Sequence, residues 1–340
     1  MDPAAFEAYL REKSARVDEE LDAWLPSADG VPPLHEGVRY ALGLDVPERT
    51  RRGKRLRPVL CLLTAESLGG EASQAIPFAL ACEMLHNFML VHDDIEDGDR
   101  VRRQRDTVWV RYGLEHAINI GDYMFAQTYD LVHACRGRGV PTTRVLRLVD
   151  VISRTVERTG EGQALDLSAR GDRTLTVEDY LAIVRAKTGR YLAAPLIGGA
   201  IVADAPAVVT DALAALGDQI GPVFQIADDV LDLTEGKGRG ERGSDIREGK
   251  RSLLVVHTAD CADAKEREEL FRILDTPREK VTPEEVAWVM KLFEKYDAVG
   301  TARAVGREMR EGAEEVLRRL PEPLHANLSA AVGFMLRRSW

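Results

Sequence analysis

The stretch VHDDIEDGDRVRRQ, residues 91 to 104, concentrates five carboxylates (Asp93, Asp94, Glu96, Asp97 and Asp99) in seven residues and follows them with Arg100, Arg102 and Arg103. Such a segment repels itself unless counterions or a bound metal hold it. Its core, DDIED at 93–97, recurs as DDVLD at 228–232, and each copy follows a predominantly apolar, helix-like run. On a helix the first and last aspartates of each copy, i and i+4, share a face, with the middle one about 100° round and a turn-neighbour of the last. Like charges at that spacing cost on the order of a few tenths of a kcal/mol. One such element is compatible with a solvated helix end; two of them, each closing an apolar helix, point to a shared task. Hard oxygen donors with no Cys beside them, and with His92 one residue from Asp93 and so off the face that Asp93 shares with Asp97, select Mg²⁺ over zinc or copper. Mg²⁺ retains water and is readily completed by substrate phosphate, so two aspartate clusters facing each other across a cavity predict a diphosphate held through several ions.

The cations fit the same ligand. Arg51, Arg52, Lys54, Arg55 and Arg57 of RRGKRLRP, with Arg100, Arg102, Arg103 and Arg105 beside the first cluster, could bind a second phosphate group directly. Each set alone reads as a solvated face. Together they imply two anionic groups, one held by metal and the other by guanidinium and ammonium.

These residues sit in a chain of 340 with 45% hydrophobic content, enough to bury a large core, so disorder is excluded as the main story. The 56 acidic and 46 basic residues give a net charge of −10, which argues against a nucleic-acid or anionic-membrane binder while leaving room for a local basic pocket. The cysteines, Cys61, Cys82, Cys135 and Cys261, form no ligand spacing and sit in apolar surroundings, as reduced core thiols do; a cytoplasmic location is expected. The N-terminus lacks the apolar run of a signal peptide, and no window approaches 18 uncharged apolar residues, so no transmembrane span is expected.

The elements that must position the chemistry are helices. Apolar residues recur at three- and four-residue spacing almost everywhere, and alternating strands are hard to find. The periodicity predicts helices over 4–24, 35–43, 54–68, 72–96, 107–135, 142–170, 177–203, 206–234, 250–274, 283–296, 298–319 and 323–337. Several exceed 20 residues, which favours long core helices in a bundle. The breaks, at LPSADGVPPLHEG, RGRGVP, ARGDRTLT and EGKGRGERGSD, are too local to be domain linkers, so residues 1–340 read as one domain. The last, 235–245, combines glycines and mixed charge without apolar anchors, as mobile or ligand-contacting loops do.

Taken in order, these motifs resemble the trans-isoprenyl diphosphate synthases (polyprenyl synthetases): GKRLRP at 53–58, EMLHNFMLVHDDIED at 83–97 with Arg102 and Arg103 beyond, GDYMF at 121–125, GQALDL at 162–167, KTG at 187–189, FQIADDVLD at 224–232 and GSDIREGKRS at 243–252. The resemblance runs from about residue 50 to 255. It implies an all-α fold, a large single-domain helical bundle around a deep central cavity, in each subunit of a homodimer. The implied reaction is Mg²⁺-dependent head-to-tail condensation of isopentenyl diphosphate with an allylic diphosphate, with three ions per site. By the same resemblance Asp93, Asp97 and Asp228 are the principal metal ligands, and Asp94, Asp229 and Asp232 support them directly or through water. Lys54, Arg57, His86 and Arg103 would bind isopentenyl diphosphate, and Arg102, Lys187 and Lys250 the allylic diphosphate. Thr188 and Gln225 would line the place where the carbocation forms. Without the resemblance His86 reads as a satisfied core histidine, His92 as a group orienting Asp93, and Gln163 and Asp166 as wall.

The chain departs from the family pattern at Arg52, where a glycine is common, at Gln104, where a glycine commonly follows the arginine pair, and at Asp106, commonly proline. Gly240 and Glu241 stand where a diphosphate-contacting lysine is often found, with Lys237 or Arg242 as substitutes. These changes bear on substrate affinity more than on reaction type. Product length depends on what blocks the cavity beneath the first cluster. Residues four and five before Asp93, Met89 and Phe88, lie about 6–8 Å down the helix, and a bulky aromatic at the latter resembles the geranylgeranyl-type arrangement. A twenty-carbon product is expected, with a farnesyl or longer-chain synthase as the alternative and Phe125 as a deeper floor. A terpene cyclase usually carries an Asn-Ser-Glu second element, and a non-catalytic partner subunit commonly loses an aspartate cluster; this chain keeps both.

Overall fold

The computed structural model describes residues 1–26, 30–46, 52–234 and 242–337. Its helices are α1 (Pro3–Trp24), α2 (Leu34–Leu42), α3 (Leu56–Ser67), α4 (Ala72–Glu96), α5 (Val108–Tyr112), α6 (Leu114–Ala134), α7 (Thr142–Ala169), α8 (Val177–Val184), α9 (Arg190–Val202) and α10 (Ala207–Thr234). The remainder are α11 (Ser244–Arg247), α12 (Leu253–Cys261), α13 (Ala264–Leu274), α14 (Pro283–Lys295), α15 (Ala298–Leu317) and α16 (Leu324–Arg337). The all-α expectation holds, with helix boundaries close to those read from periodicity.

Where the boundaries differ, local chemistry gives the reason. The expected helix over 107–135 is interrupted at Gly113, whose φ of +91° leaves the helical region. The expected helix over 250–274 becomes two, because the Asp263 side chain accepts from the Lys265 and Glu266 N–H groups and starts α13 afresh. Capping boxes at Thr176 with Asp179 and at Thr282 with Glu285 fix the starts of α8 and α14. The expected helix over 177–203 contains a π-helical turn, Arg185–Gly189, between α8 and α9.

One feature was not anticipated. Strands β1 (Val101–Arg102) and β2 (Arg105–Asp106) form a small antiparallel hairpin right after the first aspartate cluster. Its two central residues, Arg103 and Gln104, have φ of +53° and +60°. Positive φ at both positions is what a type I′ turn demands, and it explains why glycine is at home where this chain has Gln104.

The chain divides into two compact units, neither continuous in sequence: residues 1–154, 194–214 and 317–334, and residues 155–193, 215–316 and 335–340. In the first, α4 is buried along most of its length and packs against α3 and α6. By length and composition α4, with Glu83 in its midst, passes for a membrane span, but 72% of its apolar window is buried inside the fold, as in a core helix. In the second, Tyr180, Ile226, Val230, Leu254, Phe271 and Phe293 belong to one apolar cluster that backs α10. Cys61, Cys82 and Cys135 are buried as expected, and burial pushes the Cys135 thiol up to about 12; Cys261 is exposed, against expectation.

Candidate active site

Both aspartate clusters close their helices. Asp93 and Asp94 lie in the last turn of α4 with Asp97 as its C-cap, and Asp228, Asp229 and Asp232 lie in the last two turns of α10. Carboxylates at a C-terminus meet the negative end of the helix dipole, an unfavourable placement by about 0.3–1 kcal/mol each. Stability alone does not account for such an arrangement twice over.

In each cluster the side chains divide the same way. Asp93, Asp97 and Asp228 are partly exposed, whereas Asp94, Asp229 and Asp232 are buried on protein donors. The Arg102 Nε and Nη2 both reach Asp94 Oδ1 at 2.7 Å. Asp229 accepts from the Tyr180 hydroxyl at 2.9 Å and from Gln225 Nε2 at 2.8 Å. Asp232, fully buried, accepts from Ser244 Oγ at 2.5 Å and from the Asp245 N–H at 3.1 Å. Among the described residues no three His, Cys, Asp or Glu side chains form a ready-made metal cage. Mg²⁺ needs none, since it is usually bound by one or two carboxylates and completed by water and phosphate, and carboxylate pairs such as Asp93 with Asp97 suit it.

In the first unit, cations gather around His86. Its imidazole is held well below its ordinary pKa, first by burial and then by Arg57, Arg103, Arg102 and Arg55 in that order. His86 is therefore neutral at pH 7 and offers a hydrogen bond rather than a charge. Arg103 lies against Gly53, where a Cβ would come within 2.9 Å of the guanidinium carbon, and its Nη1 donates to the Arg52 carbonyl at 3.3 Å. Lys54 is exposed.

Not every cation in the two basic stretches is a phosphate ligand. Arg55 is 2% exposed and fully engaged by protein acceptors. Arg105 pairs with Asp45 at 2.5 Å and stacks over Tyr40 at 3.9 Å, and Arg100 lies over Trp109 at 5.4 Å. Arg52 donates to the Val46 carbonyl at 2.8 Å. Arg51, Lys237, Gly240 and Glu241 lie outside the described residues, as does most of the 235–245 loop; Arg242 is described, and exposed.

In the second unit Thr188, a candidate carbocation residue, and Lys187, a candidate ligand of the allylic diphosphate, sit on the π turn, and Gln225, the other carbocation candidate, sits on α10. Lys187 and Thr188 belong to Arg185–Gly189, and π turns inside helices are frequent at functional sites. Three glycines of neighbouring helices allow the turn its place. A Cβ on Gly162 of α7 would lie 2.3 Å from the Lys187 nitrogen, and one on Gly217 of α10 would lie 2.5 Å from the Gly189 carbonyl oxygen. A Cβ on Gly221 would lie 2.7 Å from the Gly189 Cα. Lys187 Nζ pairs with Asp166 at 2.8 Å. Lys250 pairs with Glu248 at 2.6 Å and Asp245 at 3.3 Å, and Asp245 joins it to Asp232. The structure thus brings Lys250 to the second cluster and Gln225 to Asp229.

Beneath the first cluster Phe88 stacks on Phe125 with centroids 5.0 Å apart, and Phe125 meets Tyr129 edge-on at 5.5 Å. The two candidate floors are one aromatic block; Met89, next along α4, is partly exposed.

Sequence reasoning missed Asp18, Glu83, Tyr180, Ser244 and the glycines that pack the π turn. Glu83 carried a signal, a carboxylate in the apolar run FALACEML, which burial obliges to find a cation. The others depend on contacts between separate segments, from 12 residues apart for Ser244 with Asp232 to 49 for Tyr180 with Asp229.

Comparison with known proteins supplies the family. The Polyprenyl synthetase family profile matches residues 48–293. The chain is 36% identical over 293 residues to the short chain isoprenyl diphosphate synthase of Methanothermobacter thermautotrophicus, covering 85% of this chain and 87% of that one. It is 35% identical over 322 residues to the geranylgeranyl pyrophosphate synthase of Geoglobus acetivorans, covering 92% of each. The crystal structure of geranylgeranyl pyrophosphate synthetase from Pyrococcus horikoshii Ot3 superposes with a TM-score of 0.86 at 32% identity, covering 98% of this chain and 99% of that one. Ordered motifs, helical architecture and relatives agree: the chain belongs to the polyprenyl synthetase family, the prenyltransferases that build prenyl diphosphates.

Proposed function

We propose that this chain condenses isopentenyl diphosphate head-to-tail with allylic diphosphates, using Mg²⁺, and stops at geranylgeranyl diphosphate. The observation that carries the reading is the matched division of the two DDxxD elements, with Asp93, Asp97 and Asp228 accessible to solvent and their neighbours buried on Arg102, Tyr180, Gln225 and Ser244. The names of the relatives support the twenty-carbon product.

The residues have distinct tasks. When bound, Mg²⁺ stabilises the charge that grows on the departing diphosphate. Arg102, Lys187 and Lys250 hold the allylic diphosphate, and Lys54, Arg57, Arg103 and neutral His86 hold isopentenyl diphosphate. Gln225 donates its amide N–H to Asp229, which is itself fixed by Tyr180, so the amide oxygen is turned away from that carboxylate. That oxygen, with Thr188, is suited to face an allylic cation as a dipole without attacking it. The isopentenyl double bond then attacks, and the released diphosphate takes the proton.

Three ions per site and a homodimer come from the family resemblance; a single domain over residues 1–340 and a cytoplasmic location come from the lack of linkers and the cysteine usage in the sequence. Exposed Leu114, Ile118 and Leu146 support self-association, and three buried thiols support a reducing compartment. The deciding experiment incubates the protein with Mg²⁺, labelled isopentenyl diphosphate and, separately, dimethylallyl, geranyl and farnesyl diphosphate, then resolves products by length. A dominant twenty-carbon product is expected. Longer products would keep the chemistry and move the floor; folded protein that condenses nothing would refute the reading in favour of a non-catalytic partner subunit.

A further inference from the structure

We propose that Arg55 is a positioning residue: clamped between Asp18 of α1 and Glu83 of α4, it fixes the backbone that presents Lys54 and Arg57 to isopentenyl diphosphate. The proposal rests on the reading of Lys54 and Arg57 as ligands of that substrate.

Arg55 looks, in sequence, like one more phosphate-binding arginine. In the structure its Nε donates to Asp18 Oδ1 at 2.8 Å, Nη1 to Glu83 Oε1 at 2.8 Å and Nη2 to the Leu42 carbonyl at 2.6 Å. Every guanidinium nitrogen is used, and the three partners come from separate helices. Asp18 and Glu83 are themselves 7% and 2% exposed. Burial pushes the Glu83 carboxyl up, but Arg55, then Arg103 and Asn87, outweigh it and hold it below the ordinary carboxylate range. Arg55 thus stands as a compensated buried charge, of the kind that specifies one geometry.

The geometry specified is unusual. Gly53 has φ of +86° and Arg55 of +50°, so two left-handed residues bracket Lys54 immediately before α3 begins. Arginine adopts that conformation at a cost, and it persists where surrounding contacts over-determine it. Helix α1 supplies further contacts to the same segment. The second Asp18 oxygen lies 3.4 Å from Arg52 Nη1, and Ser14 Oγ, one turn before Asp18, gives its proton to the Leu10 carbonyl at 2.5 Å with the Lys54 carbonyl a longer second acceptor at 3.2 Å. Helix α1, in which no substrate ligand is read, therefore grips the chain at Arg52 and Arg55, on either side of Lys54. Releasing the clamp would let the segment leave the left-handed turn and carry Lys54 away from its working position, leaving the aspartate clusters untouched.

The test varies isopentenyl diphosphate at saturating geranyl diphosphate, and then the reverse, for wild type, Lys54→Ala, Asp18→Asn and Arg55→Lys, with folding checked by circular dichroism. Lys54→Ala should raise the isopentenyl KM about tenfold or more. Asp18→Asn should raise the same KM about tenfold while kcat and the allylic KM stay within about threefold, and Arg55→Lys, which keeps the buried charge but loses the three-way fork, should do the same. If Lys54→Ala leaves that KM unchanged, the ligand reading fails and takes the clamp with it. If Lys54→Ala raises it but Asp18→Asn does not, or shifts all three constants together, the clamp is overturned and the ligand reading stands. Should Asp18→Asn not fold, Arg55→Lys decides by the same criterion.

Discussion

Gly221→Ala tests whether the π turn at Arg185–Gly189 sets the geometry of the reacting centre. A Cβ at Gly221 would meet the Gly189 Cα at 2.7 Å, the Gly189 nitrogen at 2.8 Å and the Thr188 carbonyl carbon at 3.3 Å, all backbone atoms that cannot rotate aside. An ordinary carbon–carbon contact needs about 3.5–4.0 Å, so α10 and the turn must separate by roughly 1 Å. Overpacking of this kind costs about 1–3 kcal/mol, which leaves a chain of this size folded. A misplacement of about 1 Å at a reacting centre, by contrast, costs up to about 10²-fold in rate. The expected result is a kcat lowered about 10- to 100-fold with the isopentenyl KM within about threefold, because Lys54, Arg57 and His86 belong to the other unit. Steady-state kinetics at saturating allylic substrate, with Tm measured in parallel, reads both effects. A stably folded variant with wild-type kcat would refute the reasoning, and a large rise in KM alone would place the turn in binding rather than in chemistry.

Phe88→Ala and Phe125→Ala remove the two rings of one stack, and each should shift the products beyond twenty carbons; an unchanged distribution in both variants would place the floor elsewhere. His86 has its folded pKa depressed below the unfolded value of about 6.5, so as pH falls below that value the unfolded chain takes up a proton that the folded one refuses. Stability should therefore fall more steeply between pH 7 and 5.5 in wild type than in His86→Gln, read as urea midpoints; parallel curves would mean that His86 titrates normally. Gln104→Gly, at φ of +60° in the hairpin turn, should raise stability by up to about 1 kcal/mol by relieving left-handed backbone strain, and a lowered midpoint would show that the glutamine side chain is needed.

What the sequence alone determined is local or strongly patterned. Helical periodicity placed α1, α4, α7 and α10 to within a residue or two, since each buries a continuous apolar face and that face is written at three- and four-residue spacing. The two DDxxD elements were legible because both their chemistry and their spacing lie within a single helical turn. Tertiary structure decided which charged groups face substrate and which face each other. Arg55 and Lys54 are neighbours of similar charge, yet one is buried against Asp18 and Glu83, 37 and 28 residues away, while the other is exposed. The same holds for Asp94 against Asp93, for the bulged turn that Gly162, Gly217 and Gly221 admit, and for the small hairpin closed over Gln104. A residue's type sets what it can bind, but burial and partner are set by contacts between segments far apart in the chain, and no local spacing encodes them.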